Sequence, residues 1–251
     1  MFDVVVLAGT GKKTPLTEQE GVDNKAFIEI NGRTLLSFTL EALRAVKIID
    51  RIAAVGPVDQ LSALIEQYNL LVVSEKGEIT DNIQAAVSAL RPRKHFLIVA
   101  GDIPLLTARA AEDFLEQCAP YEADFYYPIV SKEENEKRFP GIERTYARLK
   151  DGVFTGGNLF LVNPHKVDEW LPRLNRFIEL RKSPFRLANA LGFGFVLKFI
   201  RKTLTIAELE RNVPRLLGIS GKAVICGYPE IGTDVDKISD LELVRRELSL
   251  P

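Results

Sequence analysis

The sequence predicts an α/β fold: a doubly wound, mostly parallel sheet with a helical insertion in its C-terminal half. Three observations predict it. Short β-branched runs of strand length alternate with helix-period segments through residue 117. The runs are continuously apolar and bounded by glycine or polar residues, as in strands buried on both faces. At 251 residues the chain is long enough for one large α/β domain or two small ones.

The elements follow in order. Residues 3–8 are a buried strand that breaks into Gly9-Thr10-Gly11-Lys12-Lys13 and a polar loop ending at Asn24-Lys25. Residues 27–30 and the turn Asn31-Gly32 lead into a helix in which Leu36, Leu40, Leu43 and Lys47 share a face, apolar until its end. Residues 51–55 form a second strand, 59–68 a helix and 70–73 a third strand. Asp81 is placed to cap a helix carrying Ile83, Val87 and Leu90. The fourth strand, 96–100, ends at Gly101-Asp102, and Thr107 caps the helix after it. Further on, 124–130 reads as a strand, and 132–144, charged and holding Pro140-Gly141, as a mobile loop. Strands over 146–150 and 158–162 flank the turn Asp151-Gly152 and the link Thr155-Gly156-Gly157. Residues 165–217 read as helices, with a capping box at Thr205 and Glu208. A strand over 222–226 and a final helix, opened by a capping box at Ser239 and Glu242, complete the chain. With no repeat and no clear linker, residues 1–251 read as a single domain with an insertion over about 165–217.

Composition narrows the partners. Hydrophobic residues are 46% and charged residues 27%, a soluble globular balance. A net charge of −1 gives no basis for nucleic acid as the main partner. Cys118 and Cys226 lack metal spacing and suit a reducing compartment; whether they pair is open. The start has no basic signal-peptide region and no apolar run reaches spanning length, so the expectation is a cytoplasmic protein.

Three segments carry chemistry. Glycines directly after the first strand let backbone N–H groups approach phosphate oxygens, and the lysines beside them add positive charge. Such a loop at the carboxyl end of a strand is where open α/β sheets bind nucleotides; the plain alternative is a turn with solvated lysines. It is neither a Walker loop nor the dinucleotide fingerprint, because the Gly-Lys-Ser/Thr ending and the third glycine are missing. Gly101-Asp102-Ile103-Pro104 puts an acid at the same sheet edge, where a hard carboxylate suits Mg²⁺ bridging nucleotide phosphates. Gly232-Thr233-Asp234-Val235-Asp236 puts two acids at i, i+2 on an extended segment, and either could approach that metal.

Together these segments resemble the nucleotidyltransferases of GT-A type, the MobA-like NTP transferases. That group includes the molybdenum-cofactor guanylyl- and cytidylyltransferases and the methylerythritol-phosphate cytidylyltransferases. Leu7-Ala8-Gly9-Thr10-Gly11-Lys12-Lys13 with Lys25, then Gly101-Asp102-Ile103-Pro104, then Asp234-Val235-Asp236 before Ser239-Asp240-Leu241, occur in the family order. The likeness covers residues 3–130 and returns at 153–163 and 222–248. It implies that the first loop wraps a triphosphate, that Lys25 contacts phosphate, and that Asp102 and Asp236 hold Mg²⁺. Lys25, Asp102 and Asp236 are then the catalytic set. The nucleotide, with CTP or GTP favoured, meets residues 7–13, Lys25 and Asn82, which reads base or ribose unless it merely caps its helix. The activity implied is transfer of a nucleoside monophosphate from an NTP to a small anionic acceptor, with pyrophosphate as the other product. A glycosyltransferase of the same fold would offer an Asp-x-Asp at the central strand, where only Asp102 stands. A non-catalytic nucleotide sensor is the other alternative, suggested by a first loop shorter than the family's.

For the acceptor, alternation along a strand would place Arg144, Tyr146 and Arg148 on one face, with Gly157 permitting close approach and Asn158 orienting an oxygen. A solvated strand face explains the arginines equally well. His95 and His165 have no catalytic partners in the pattern and read as structural; Trp170 reads as packing within the insertion. The apolar stretch 187–200, followed by Arg201-Lys202, reads as a buried helix or a cover over the acceptor pocket, with membrane-surface contact as the sharper alternative.

Overall fold

The computed structural model describes residues 1–9, 13–180, 190 and 192–249. The expectations for Thr10, Gly11 and Lys12, and for 187–189 and 191, fall on residues outside this description. In chain order the elements are β1 (Phe2–Leu7), α1 (Pro15–Glu20), β2 (Glu29–Ile30), β3 (Arg33–Thr34), α2 (Leu35–Ala45), β4 (Ile49–Gly56), α3 (Val58–Ser62), α4 (Ile65–Tyr68), β5 (Leu70–Ser74), α5 (Ile79–Leu90), β6 (Phe96–Ala100), α6 (Ala108–Cys118), β7 (Phe125–Ser131), α7 (Lys132–Arg138), β8 (Ala147–Leu149), β9 (Gly152–Gly156), β10 (Leu159–Val162), α8 (Val167–Leu180), α9 (Phe193–Ile200), α10 (Ile206–Leu217), β11 (Gly221–Cys226) and α11 (Ile238–Leu248).

Nine of the described strands form one sheet in the order β5-β4-β1-β6-β10-β7-β9-β8, with β11 on the other side of β7. The β5-β4-β1-β6 half is wholly parallel, with Val5 of β1 opposite both Ala53 and Ile98. Beyond it, β10 and β9 run against their neighbours, while β7, β8 and β11 share the direction of β1. The chain moves outward from β1 to β4 and β5, then jumps back to place β6 on β1's other side. The strand order therefore reverses between β1 and β6, the position where open α/β sheets leave a crevice at their carboxyl ends.

Period-two alternation divides each central strand between two cores. Val4, Val6, Ala54, Leu97 and Val99 meet Leu36, Leu40 and Leu43 of α2 and Phe114 and Leu115 of α6. Val5, Ala53, Val55 and Ile98 meet Ile83, Ala86 and Leu90 of α5 and Trp170 and Leu171 of α8. Each Val, Leu, Ile or Phe side chain among them contributes about 1.5–3 kcal/mol when withdrawn from water. Within 165–217 the described residues hold helices α8, α9 and α10, and Leu217 joins the same core as Val5. The capping box at Thr205 forms, its hydroxyl accepting from Glu208 N at 3.2 Å and the Glu208 carboxylate accepting from Thr205 N at 3.1 Å.

Several local readings are corrected. Residues 132–138 are helix α7 and not a mobile loop, because the Ser131 hydroxyl accepts from Glu134 N at 3.1 Å and caps it. Helix α5 starts before Asp81, at Ile79, without a side-chain cap. Helix α11 is opened by Asp240, and not by Ser239: its carboxylate accepts from Lys237 N at 2.9 Å and Asp236 N at 3.1 Å. Cys118 and Cys226 are free and buried, and burial pushes the Cys226 thiol up to about 12 and raises that of Cys118 as well. No described helix is long and apolar enough to cross a membrane.

Candidate active site

The site is assembled where β1 and β6 end. Gly101 N donates to Leu7 O at 2.9 Å, so the two strand ends stay locked one residue past the sheet. A Cβ on Gly101 would stand 3.0 Å from Leu7 O and 3.2 Å from the Ala8 Cβ, a fit only glycine makes without displacement. Asp102 follows directly and is thrown onto the crevice rim.

Asn24 brings Lys25 to the same rim. Its amide donates to Ala8 O at 2.6 Å, and its carbonyl accepts from Ala26 N at 2.9 Å, capping the short turn over Lys25–Phe27. The third piece of the assembly is the segment before α11. Val235 N donates to Asp102 O at 3.1 Å, and the buried Asp240 carboxylate holds the Asp236 and Lys237 amides. Asn24 and Asp240 thus position the groups that sequence reasoning chose, and it missed both. The only signals were their places: an Asx residue directly before the lysine, and an acid at the third position of the last helix.

Lys25 Nζ lies between two carboxylates, 2.8 Å from Asp102 Oδ2 and hydrogen-bonded to Asp236 Oδ1. The Lys25 and Asp102 side chains are 21% and 17% exposed, so the charges meet largely out of water. Burial alone would lower the lysine pKa; Asp102 first and Asp236 second reverse that and hold it above the ordinary value. Burial opposes ionisation of Asp236 too, and the Lys25 bond outweighs it, leaving that carboxyl below its usual range. Asp234 differs: burial, with Asp236 and Asp102 nearby, pushes it up to about 6 against the pull of Arg144. Arg144 donates to Asp234 Oδ1 at 3.0 Å and lies 3.8 Å from Asp240 Oδ1. Among the described residues no group of three or more His, Cys, Asp or Glu side chains closes on one point as a metal cage. Asp102 and Asp236 do reach one common cation, the lysine ammonium, and two hard carboxylates with that reach fit a divalent ion that takes its other ligands from phosphate and water.

The rim opens into a cavity of about 720 Å³, lined among others by Lys132, Arg144, Tyr146, Thr155, Gly156, Asn158, Asp234, Asp236 and Lys237. Its floor is the junction of β9 and β10, which lie end to end along one edge of β7. The junction is pinned by Gly157 N to Pro128 O and Asn158 N to Ile231 O, both 2.9 Å, and a Cβ on Gly157 would stand 2.6 Å from Ile231 Cγ2.

Lys25, Asp102 and Asp236 therefore meet, and Tyr146 and Asn158 line the adjoining cavity, whereas Gly157 is not in its lining and packs against Ile231 and Pro128. The arginines do not act as a pair. Regular strand begins only at Ala147, so Arg144 and Arg148 share no strand face; Arg144 is committed to Asp234 and Asp240, and Arg148 is exposed and absent from the cavity lining. Asn82 is buried, its carbonyl accepting from Lys76 N at 2.7 Å. The chain it steadies reaches the first loop, since Gly9 lies against Glu75. Leu7 and Ala8 serve through backbone atoms, and Lys13 forms an exposed pair with Asp23 at 3.4 Å. His95 is structural, its Nε2 2.9 Å from Ala123 O. The His165 amide is capped by Asn163 Oδ1 at 3.1 Å.

A parallel-centred α/β sheet with lysine and carboxylates converging at its switch point defines the class: a nucleotide-type transferase fold with a polar crevice. The chain belongs to the MobA-like NTP transferase domain family, which it matches over residues 4–186, and it is a nucleotidyltransferase. A hypothetical transferase structure from Thermus thermophilus is 38% identical, with 96% of this chain and 99% of that one aligned at a TM-score of 0.84. Two more distant structures share the fold. The 4-diphosphocytidyl-2C-methyl-D-erythritol synthase of Anaerococcus prevotii is 14% identical, over 99% of this chain and 98% of its own, at a TM-score of 0.60. A CMP:2-keto-3-deoxy-manno-octonic acid synthetase complexed with CTP is 12% identical, over 99% of both chains, at a TM-score of 0.62. No protein of curated function matches this chain.

Proposed function

We propose that this protein moves a nucleoside monophosphate from an NTP to a small anionic acceptor and releases pyrophosphate. The observation that carries the reading is the convergence of Lys25, Asp102 and Asp236 on one point at the β1/β6 crevice. Folding alone gives no reason to gather Asp102, Asp234 and Asp236 there; a triphosphate with its counter-ion does.

An acceptor oxygen attacks the α-phosphorus, the bond from that phosphorus to the bridging oxygen of the β-phosphate breaks, and pyrophosphate carries the electron pair away. Little covalent help is required, so positioning and charge do the catalysis. Asp102 and Asp236 would hold Mg²⁺, which when bound supplies charge neutralisation for the phosphates. Lys25 would set its ammonium against the phosphate oxygens. Lys132 and Lys237 line the cavity where the acceptor would lie, and Tyr146 and Asn158 orient it. Arg144 keeps Asp234 and Asp240 in place and does not grip the acceptor itself. A phosphate acceptor is already ionised and needs no general base.

CTP is the first nucleotide to test, since one fold relative was determined with it, and GTP the second. The experiment is a Mg²⁺-dependent pyrophosphate-release assay with each of the four NTPs against a panel of phosphorylated and carboxylated acceptors. Acceptor-dependent pyrophosphate supports the transfer. Tight NTP binding without pyrophosphate for any acceptor leaves a nucleotide sensor, and turnover of nucleotide sugars in its place would make it a glycosyltransferase.

A further inference from the structure

Helix α9 exposes residues that helices usually bury. Phe193, Leu197 and Ile200 fall at i, i+4 and i+7 and are 74%, 46% and 67% exposed. Phe195 faces the other way, packed against Leu149, Phe154 and Leu204. The helix is thus anchored by its inner side and carries an outer apolar stripe, where the sequence had suggested a buried helix or a pocket cover. The stripe runs directly into exposed Arg201 and Lys202. Between Glu179 and Glu208 the chain holds six Lys or Arg and not one Asp or Glu, although over its whole length 33 basic residues balance 34 acidic ones.

We propose that α9 docks the protein on a bilayer containing anionic phospholipid, with Phe193, Leu197 and Ile200 entering the interface and Arg201 and Lys202 on the lipid phosphates. An apolar stripe ending in cations is the make-up of an interfacial helix. A second copy of the chain fits worse, because a two-fold contact would set this acid-free segment against itself. A helix of this length attaches peripherally and reversibly, and salt screens it. Docking would bring the cavity close to the membrane: Phe154 lies in the cluster beneath α9, and the next two residues of β9, Thr155 and Gly156, line the cavity. The inference is independent of which group the enzyme transfers.

The test is flotation of the full chain with phosphatidylcholine vesicles and with vesicles that also contain phosphatidylglycerol. The protein should float with the anionic vesicles at low salt, stay behind with the neutral ones, and be released by salt. The double variant R201Q/K202Q should lose roughly 10- to 30-fold in partitioning, at about fivefold per cation near the surface. The triple variant F193S/L197S/I200S should stop floating while its melting temperature holds, since those side chains already face water. Wild-type protein left in solution by both vesicle types overturns the proposal, as does equal flotation of wild type and both variants. A concentration-dependent dimer lost in the triple variant, without vesicle binding, assigns the stripe to a second copy instead.

Discussion

The two ends of the central sheet carry hollows of similar size, about 720 Å³ at the carboxyl edge and about 630 Å³ at the amino edge, and they differ in how they handle charge. At the amino edge Arg51 meets Asp3 alone, in a two-pronged contact of 3.0 and 2.6 Å with the arginine half in water. Asp124 accepts from Ser220 N and Asn163 Nδ2 at 2.9 Å and from the Ser220 hydroxyl at 2.8 Å, tying β7 to the approach of β11. These charges hold strands together. At the carboxyl edge, Lys25 is shared by two acids, Arg144 braces two more, and burial together with Asp236 and Asp102 pushes Asp234 up to about 6. The contrast teaches that size does not locate chemistry. Like charges gathered against their own repulsion do.

Mutations at the two ends should separate accordingly. Asp102→Asn keeps the shape and removes the charge, so turnover should fall about 10³-fold, read as the rate of pyrophosphate release; full Mg²⁺-dependent activity would end the metal assignment. Arg144→Ala removes the ion-pair partner of Asp234 and the cation nearest the buried Asp240, and should cost about 3 kcal/mol in urea unfolding. Arg148→Ala should cost nothing measurable, and equal effects of the two would restore them as a pair. Lys25→Ala should weaken NTP binding by about 1.5–3 kcal/mol by calorimetry, the value of a charge-assisted contact.

The amino edge should answer only in stability. Asp124→Asn should cost about 1–2 kcal/mol at neutral pH, since the native carboxylate accepts charge-assisted bonds. Burial opposes the Asp124 charge, but the Ser220 and Asn163 bonds prevail and its pKa lies below the usual value. Its contribution is therefore complete above an unfolded pKa of about 3.9 and disappears as pH falls through the lower native one. The gap between wild type and variant should close on acidification below about pH 4, and a gap that widened there would reverse the sign of the argument. Arg51→Ala should be the mildest change, under about 1 kcal/mol, with turnover untouched.

Much of this was legible in sequence, for reasons that also explain what was not. Strands buried on both faces announce themselves as unbroken apolar runs, so β1 and β6 were placed within a residue or two, and with them the rim that carries Asp102. Lys25 and Asp236 were legible as a pattern. What joins them is backbone geometry, the Asn24 bridge to Ala8 and the Asp240 hold on Asp236, which spacing does not encode. Arg144 was misread because alternation was extended three residues ahead of the strand that begins at Ala147. Helix α7 was hidden by Pro140-Gly141, whose turn lies just beyond a segment of good helix formers. In α9 the apolar run suggested burial, but a run carries no information on whether anything covers it.

The chain has a single tryptophan, and its setting makes it an optical gauge. Trp170 is 2% exposed where α8 meets the sheet, its ring 6.1 Å from Phe125, and among the described residues its indole nitrogen finds no hydrogen-bond partner. An indole in so apolar a setting emits at short wavelength, and lifting α8 off the sheet would move the emission to the red. Phe125 stacks in turn on Phe160 and Tyr127, and the Tyr127 ring lies against Gly156 in the cavity wall. A column of four aromatic rings thus spans from that cavity to the seam where α8 meets the sheet. Light emitted at one end reports, without any added label, on how firmly the other end is held.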